Sequence, residues 1–300
     1  MTINLFRKAR FLPIEKIEGL FTAAVSVLGD LVFPPQPLCP ACGREFQPVY
    51  PRLAFCRACL ERFPLLVPPL CQRCGRSWQE EEAAAMASRR DGTAGTAGAN
   101  RVGGRTGTQG AARHGPAASC RYCRGEKRHY HRVQAVAVYT GFMREILQAV
   151  KYGFRPDLAA AVGSLLAVAV ENDPAYDRID AVVPVPLHPE RLADRGYNQG
   201  LLLARPVAAA LRVPVFDKVL VRTRFTKSQS GLGRRERKAN VAGAFLVANC
   251  REVAGKRLLL VDDICTTGYT LSECARVLLL AGARRVEGLT AALGAPEEMR

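Results

Sequence analysis

Leu258-Leu259-Leu260-Val261-Asp262-Asp263-Ile264-Cys265-Thr266-Thr267-Gly268-Tyr269-Thr270-Leu271 decides the fold. Four consecutive apolar residues, Leu258 to Val261, read as the end of a strand buried on both faces. Two carboxylates, Asp262 and Asp263, follow at its carboxyl end. A short loop of threonines and glycine then opens a helix over Thr270 to Leu280. Backbone N–H groups at a helix N-terminus, helped by small hydroxyls, cradle a phosphate. Gly268 lets the backbone approach it closely. Phosphate alone has no use for two adjacent acids. A ligand that also presents hydroxyls does, because carboxylates accept hydrogen bonds. A ribose 5-phosphate meets both demands: phosphate on Thr266, Thr267, Gly268 and Thr270, hydroxyls on Asp262 and Asp263. A plain strand followed by an N-capped helix explains the threonines but not the acid pair.

Outward from this stretch the chain alternates. Gln134 to Tyr139 reads as a strand, Phe142 to Val150 and Asp157 to Glu171 as helices, and Ile179 to Val185 as a buried strand bounded by prolines. Pro189 to Leu211 is mostly helical and Val215 to Val221 a strand. Strands follow at Gly243 to Val247, Lys256 to Val261 and Arg285 to Ala291. Such alternation predicts an α/β domain over 133–300, a parallel sheet with helices on both faces. Ligands of such sheets bind beyond the carboxyl ends of the strands.

Upstream the texture is different. Of 11 cysteines, eight form four Cys-x-x-Cys pairs: Cys39/Cys42, Cys56/Cys59, Cys71/Cys74 and Cys120/Cys123. The first and third pairs are followed by glycine and read as knuckles; the second and fourth read as partner halves. Four thiolates satisfy tetrahedral zinc and leave no open catalytic position. The order predicts two sequential structural sites, Cys39, Cys42, Cys56, Cys59 and Cys71, Cys74, Cys120, Cys123. A cross-braced pairing stays open. A redox dithiol lacks a thioredoxin-like context, and the spacings do not match the usual iron–sulfur runs. Gln79 to Ser119, rich in Ala, Gly, Arg and Thr, reads as a disordered insertion in the zinc module, 38–132. Loop-closure cost grows slowly with length, so the second site tolerates it. Such a module is expected to unfold on chelation without disturbing the α/β domain.

The chain has 300 residues, 48% of them hydrophobic, enough for a sizeable core and against wholesale disorder. It contains no uncharged apolar run long enough to cross a membrane. Paired metal-binding cysteines and the lack of a signal peptide predict a cytoplasmic protein. Residues 1–37 carry a helical pattern from Leu12 to Val32, ended by Pro34 and Pro35; its polar face, with Glu15, Lys16, Glu18 and Asp30, favours docking on protein over a membrane surface. The net charge of +16 favours a polyanionic partner. Between Arg191 and Lys238 twelve basic residues stand against three acids, a surface suited to pyrophosphate. Much of the remainder, Arg44, Arg52, Arg57, Arg73, Arg121, Arg124, Lys127 and Arg128, flanks the cysteines. That placement predicts weak, salt-sensitive binding of single-stranded DNA through the zinc module.

Leu258 to Leu271 resembles the phosphoribosyl pyrophosphate (PRPP) motif of type I phosphoribosyltransferases. Val183-Pro184-Val185-Pro186-Leu187-His188-Pro189-Glu190-Arg191 and Arg195-Gly196-Tyr197-Asn198-Gln199 extend the likeness. So do Arg222, Gln229, Leu232, Arg237, Asn240 and Ala244-Phe245. With the cysteine pairs, these residues resemble the ComF family, associated with DNA uptake and competence. The resemblance spans nearly the whole chain; the insertion at 79–119 is the departure. It implies a type I phosphoribosyltransferase fold, a parallel sheet with a mobile hood over Arg222 to Asn240, preceded by a zinc-ribbon module with four-cysteine sites. It also implies a pyrophosphate loop after the Ile179–Val185 strand, neutralised by Arg191 and Arg195, and Lys151 facing the site. Mg²⁺ would accompany PRPP, and Asp262 and Asp263 would serve transfer of a phosphoribosyl group to or from a nitrogen acceptor. Two classes remain open: such an enzyme, or a non-catalytic module that senses PRPP or a nucleotide while the ribbons hold single-stranded DNA or contact the competence machinery.

Overall fold

The computed structural model describes residues 37–77, 120, 122, 123, 125–225 and 234–294. The docking pattern at 12–32, the insertion at 79–119, and Arg121, Arg124, Gln229 and Leu232 lie outside them. A one-turn helix α1 (Arg57–Leu60) stands in the cysteine region. The chain then runs β1 (Val133–Val138), α2 (Gly141–Tyr152), α3 (Pro156–Glu171), β2 (Ala181–Pro184), α4 (Pro189–Arg195) and α5 (Gln199–Leu211). It continues through β3 (Leu220–Arg222), α6 (Arg234–Val241), β4 (Phe245–Val247), α7 (Cys250–Val253), β5 (Arg257–Cys265), α8 (Tyr269–Leu280) and β6 (Arg285–Leu293).

Four strands form one sheet in the order β1-β6-β5-β2, every neighbouring pair parallel. Side chains alternate across a strand, so one strand feeds two cores. In β5, Leu259 and Val261 join Met143, Leu147, Leu166 and Leu203 from α2, α3 and α5. Leu258 and Leu260 join Leu271, Cys274 and Leu278 of α8 with Leu220 and Phe245 of the β3–β4 pair. Both faces are therefore covered, as the alternating pattern requires.

Three boundaries differ from the expectation. β5 does not stop at Val261: Asp262 pairs with Thr290, Ile264 with Ala292 and Cys265 with Leu293, so β6 carries the acid pair inside the strand. The expected strand Val215–Val221 divides. Val215 makes a single parallel bridge to Val182, and only Leu220–Arg222 pairs, antiparallel, with β4 at the base of the hood. The helical run Pro189–Leu211 is two helices. Gly196, at φ +76, ends α4, and Asn198 Oδ1 accepts from Gly200 N at 2.9 Å to cap α5.

The cysteine region is not a separate layer. Phe55 and Phe63 are buried in the same cluster as Met143 and Leu147, and the Phe63 ring lies 4.9 Å from that of Phe142 on α2. Ala54 N donates to Ser164 Oγ on α3 at 3.1 Å. Burying two phenylalanines in a shared core is worth roughly 3–6 kcal/mol of transfer free energy. Chelation is therefore expected to disturb the α/β core as well, a revision of the separable module read from sequence.

Candidate functional site

The site is built at the carboxyl ends of β5 and β2. Asp263 is buried, with Lys151 Nζ, the last basic group of α2, 2.8 Å from its Oδ2. Gln199 Nε2, on the first turn of α5, donates to the same oxygen at 3.3 Å. Arg195 Nη1 in turn donates to Gln199 Oε1 at 2.5 Å. Three elements distant in sequence thus converge on one carboxylate. Asp262 is half-buried, and its Oδ1 accepts from Asp263 N at 2.9 Å.

Charges here are strongly coupled. Burial, and then the negative Asp263, push Asp262 up to about 7 against the opposing pull of Lys151 and Arg222. Burial disfavours the Lys151 ammonium, but Asp263, with Asp262 behind it, holds its pKa above the ordinary lysine value. Burial, then neighbouring Arg191, lowers Arg222. Arg191 also lies 5.5 Å over the Phe225 ring, which meets His188 edge-on at 5.2 Å. Arg222 at the end of β3 therefore acts directly on Asp262, and Arg191 of α4 acts on Arg222. Gln199 is the connecting residue whose role the sequence reading missed; its place in the Arg-Gly-Tyr-Asn-Gln run was visible, its target was not.

Beyond β5 the backbone turns at Gly268, φ +75, the N-cap of α8. A Cβ there would stand 2.8 Å from the Tyr130 hydroxyl, so both conformation and space call for glycine. Among the described residues no side chain caps α8. Thr267 is buried, and its Oγ1 has no hydrogen-bond partner among the described residues. Thr266 and Thr270 are half-buried on either side. The four residues read as a phosphate cradle are thus together at one helix N-terminus. The isolated Cys265 and Cys274 lie beneath; burial pushes both thiols up, so neither is a ready nucleophile.

The eight paired cysteines gather as the sequential order predicts: Cys39, Cys42, Cys56, Cys59 in one group and Cys71, Cys74, Cys120, Cys123 in the other, each with its sulfurs within 4.8 Å of one another. Tetrahedral zinc with bonds near 2.3 Å sets its sulfurs about 3.8 Å apart. Cys42 and Cys56 sulfurs are 3.7 Å apart, and those of Cys74 and Cys120 3.5 Å, so the donor sets fit that ion. The basic residues beside them are less available than the sequence suggested. Arg52 pairs with Glu171 at 2.7 Å, Arg57 with Glu61 at 3.0 Å, and Arg128 is buried over the Tyr269 ring.

Two family models match the chain: a double zinc ribbon domain over residues 28–88 and a phosphoribosyl transferase domain over residues 197–297. DNA utilization protein YhgH of Escherichia coli K12 is 32% identical over 171 residues, covering 56% of this chain and 74% of the relative. The chain belongs to the ComF family. Competence protein F of Haemophilus influenzae, 28% identical, covers 57% of the chain and 76% of its own length. Competence protein ComFC of Streptococcus pneumoniae is 27% identical over 51% of the chain and 64% of the relative. The ribbon match ends at residue 88 and so contains six of the eight paired cysteines, Cys39 to Cys74, but not Cys120 and Cys123. Among solved structures, adenine phosphoribosyltransferase of Trypanosoma brucei is 12% identical with a TM-score of 0.33, covering 56% of this chain and 86% of that one. The glutamine PRPP amidotransferase of B. subtilis is 20% identical at 0.35, covering 48% and 30%. TM-scores this low leave the fold to be read from the sheet itself. The ComF chain thus combines a zinc-ribbon module, with sites for structural zinc, and a phosphoribosyltransferase-type domain. Among the described residues, no helix is long and apolar enough to cross a membrane.

Proposed function

We propose that the protein binds PRPP with Mg²⁺ at the carboxyl ends of β5 and β2 and transfers its phosphoribosyl group to or from a nitrogen acceptor. The loop carries this reading: a buried Thr267 hydroxyl with no partner among the described residues, beside a helix N-terminus with no side-chain cap among them, one residue before a glycine whose positive φ strains any other side chain. Phosphate is held there by Thr266, Thr267, Gly268 and Thr270. Half-exposed Asp262 accepts the ribose hydroxyls, and Asp263, fixed by Lys151 and Gln199, offers its other oxygen. As pyrophosphate leaves, positive charge develops on the ribose ring, and the acid pair offsets it. Arg191 and Arg195 neutralise the departing pyrophosphate, and the hood excludes water that would otherwise hydrolyse PRPP. Mg²⁺, when bound, would supply Lewis-acid stabilisation of the negative charge on the pyrophosphate, with half-buried Asp262 a carboxylate that could hold it through water.

In this reading residues 133–300 carry the ligand site, residues 38–132 carry two structural zinc ions, and the use of paired cysteines as metal ligands favours a reducing, cytoplasmic location. Its relatives' names favour a role in DNA utilization or competence. They also favour a second reading, a non-catalytic sensor of PRPP or nucleotide that binds single-stranded DNA. Calorimetric titration with PRPP and Mg²⁺, followed by a screen of free bases for pyrophosphate release, tests both. Binding with release supports the enzyme. Binding without release for any base supports the sensor. Absence of PRPP binding overturns the enzyme and the PRPP sensor alike.

A further inference from the structure

We propose that the second cysteine cluster is the back wall of the phosphate loop, and that Arg76 transmits its metal occupancy to that loop as a positioning residue. The proposal rests on the phosphate-binding role given to the loop above. Arg76 follows the knuckle Cys71-Gln72-Arg73-Cys74-Gly75 and is buried, 8% exposed. Its Nη2 donates to the Thr266 carbonyl, and its Nη1 to the Gly294 carbonyl at 3.0 Å. Gly294 N itself donates to Cys265 O at 3.0 Å. One guanidinium therefore ties the end of β5, the end of β6 and the first residue of the loop. The knuckle fixes Arg76 in turn, through Cys71 N donating to Arg76 O at 2.7 Å.

The other limb of the cluster grips the same segment from a second side. Beyond Cys123, Glu126 accepts from the Tyr269 hydroxyl at 3.3 Å, and the Arg128 guanidinium lies 4.3 Å over the Tyr269 ring. His129 N donates to Ser272 Oγ at 3.1 Å, and the Tyr130 hydroxyl fills the space a Cβ on Gly268 would need. Residues 266–272 are thus held between two limbs that a metal ion joins. Apart from that ion, the direct links between the limbs among the described residues include Arg73 Nη2 donating to Arg128 O at 3.4 Å and the Arg76 guanidinium 5.0 Å over the Tyr122 ring. The cluster's own apolar packing amounts to its four cysteines and Tyr122. These contacts are few, so metal supplies most of the cohesion of the two limbs, and binding energy there is folding energy for the loop's support.

Linkage is reciprocal: if the metal orders the loop, a ligand in the loop must retain the metal. The experiment follows zinc release from the full chain into 4-(2-pyridylazo)resorcinol, with and without PRPP and Mg²⁺. Wild type should release two zinc ions, with PRPP slowing one of them about tenfold. That phase should be missing in Cys74→Ser. Arg76→Ala should keep both zinc ions yet lose about tenfold in PRPP affinity and all of the ligand effect on release. Arg76→Lys keeps the charge but not the two-carbonyl fork, so it should restore only part of the affinity. Amide exchange in the ligand-free protein gives an arm independent of PRPP: residues 266–272 should exchange faster in Arg76→Ala while those of β1 and α3 do not change. Unchanged exchange of that loop overturns the clamp. So does full rescue by lysine, or PRPP binding that slows both zinc ions equally or neither. If wild type binds no PRPP, the ligand reading fails and the exchange arm alone decides the clamp.

Discussion

The two knuckles share a local sequence and a local structure. Cys39-Pro40-Ala41-Cys42-Gly43-Arg44 and Cys71-Gln72-Arg73-Cys74-Gly75-Arg76 both turn at a glycine with φ +71. Both close with the first cysteine's N–H on the arginine carbonyl, at 2.8 and 2.7 Å, and both lie inside a one-bridge antiparallel pairing, Leu38 with Glu45 and Leu70 with Ser77. Their surroundings differ. A Cβ on Gly43 would meet nothing within 4 Å, whereas one on Gly75 would meet Val133 O at 3.0 Å. Arg44 is exposed; Arg76 is buried on the phosphate loop. The first module instead supports α2, through Phe63 on Phe142 and the Arg62 guanidinium 3.8 Å over the same ring. α2 carries Lys151 to Asp263. One module thus stands behind the acid pair, the other behind the phosphate loop.

The comparison breaks most readily at the cysteines. Cys74→Ser should lower bound zinc from two ions to one and abolish measurable PRPP binding. Cys42→Ser, at the most exposed of the eight thiols, should cost the same zinc and lower Tm while PRPP affinity stays within a few-fold. Elemental analysis with calorimetry measures both; equal loss of binding in the two variants would erase the distinction. Next in size is Phe63→Ala, which empties part of the shared core and should destabilise the chain by about 3–5 kcal/mol in urea unfolding. Unfolding of the ribbons alone, with a separate later transition, would restore the separable module.

A smaller effect belongs to Asp262, where the two supports meet. Its folded pKa of about 7 lies above the ordinary carboxylate range, so the folded state holds the proton more tightly than the unfolded chain. Its contribution to stability is therefore present at low pH and is lost as pH rises through about 7. The ligand's hydroxyls need the carboxylate, so PRPP affinity should move the other way, rising by up to about tenfold per pH unit below 7. Asp262→Asn should remove both slopes between about pH 4 and 7 in thermal melts and calorimetry. A slope that persists in the variant belongs to another group. Smallest of all, Arg44→Ala should shift stability by no more than about 0.5 kcal/mol, as for an ordinary surface site. A shift comparable to that of Arg76→Ala would mean that the first knuckle too rests on a surface outside the described residues.

Much of the site was legible because its signals are local. The Asp262-Asp263 pair, the threonine loop and the helix after it occupy one run, and the order of the cysteine pairs predicted the two groups that the structure gathers, with a cross-braced pairing left open until then. Strand alternation likewise gave the covered parallel sheet. The errors fell where long-range pairing decides. The carboxyl end of β5 depends on β6 continuing beside it, and the split of Val215–Val221 depends on which neighbour each half meets.

By itself the sequence determined the elements, the grouping of the cysteines and the threonine–glycine loop after the acid pair, because each rests on residues a few positions apart whose geometry is fixed by the local backbone. Only the tertiary structure decided what those parts do to one another. Lys151, Gln199 and Asp263 come from three elements, and nothing in any one of them specifies the other two. Arg44 and Arg76 carry the same Cys-Gly-Arg context to opposite fates. A guanidinium's role depends on what lies behind it: water for Arg44, and for Arg76 two buried carbonyls whose hydrogen bonds to a charged donor are worth about 1.5–3 kcal/mol each.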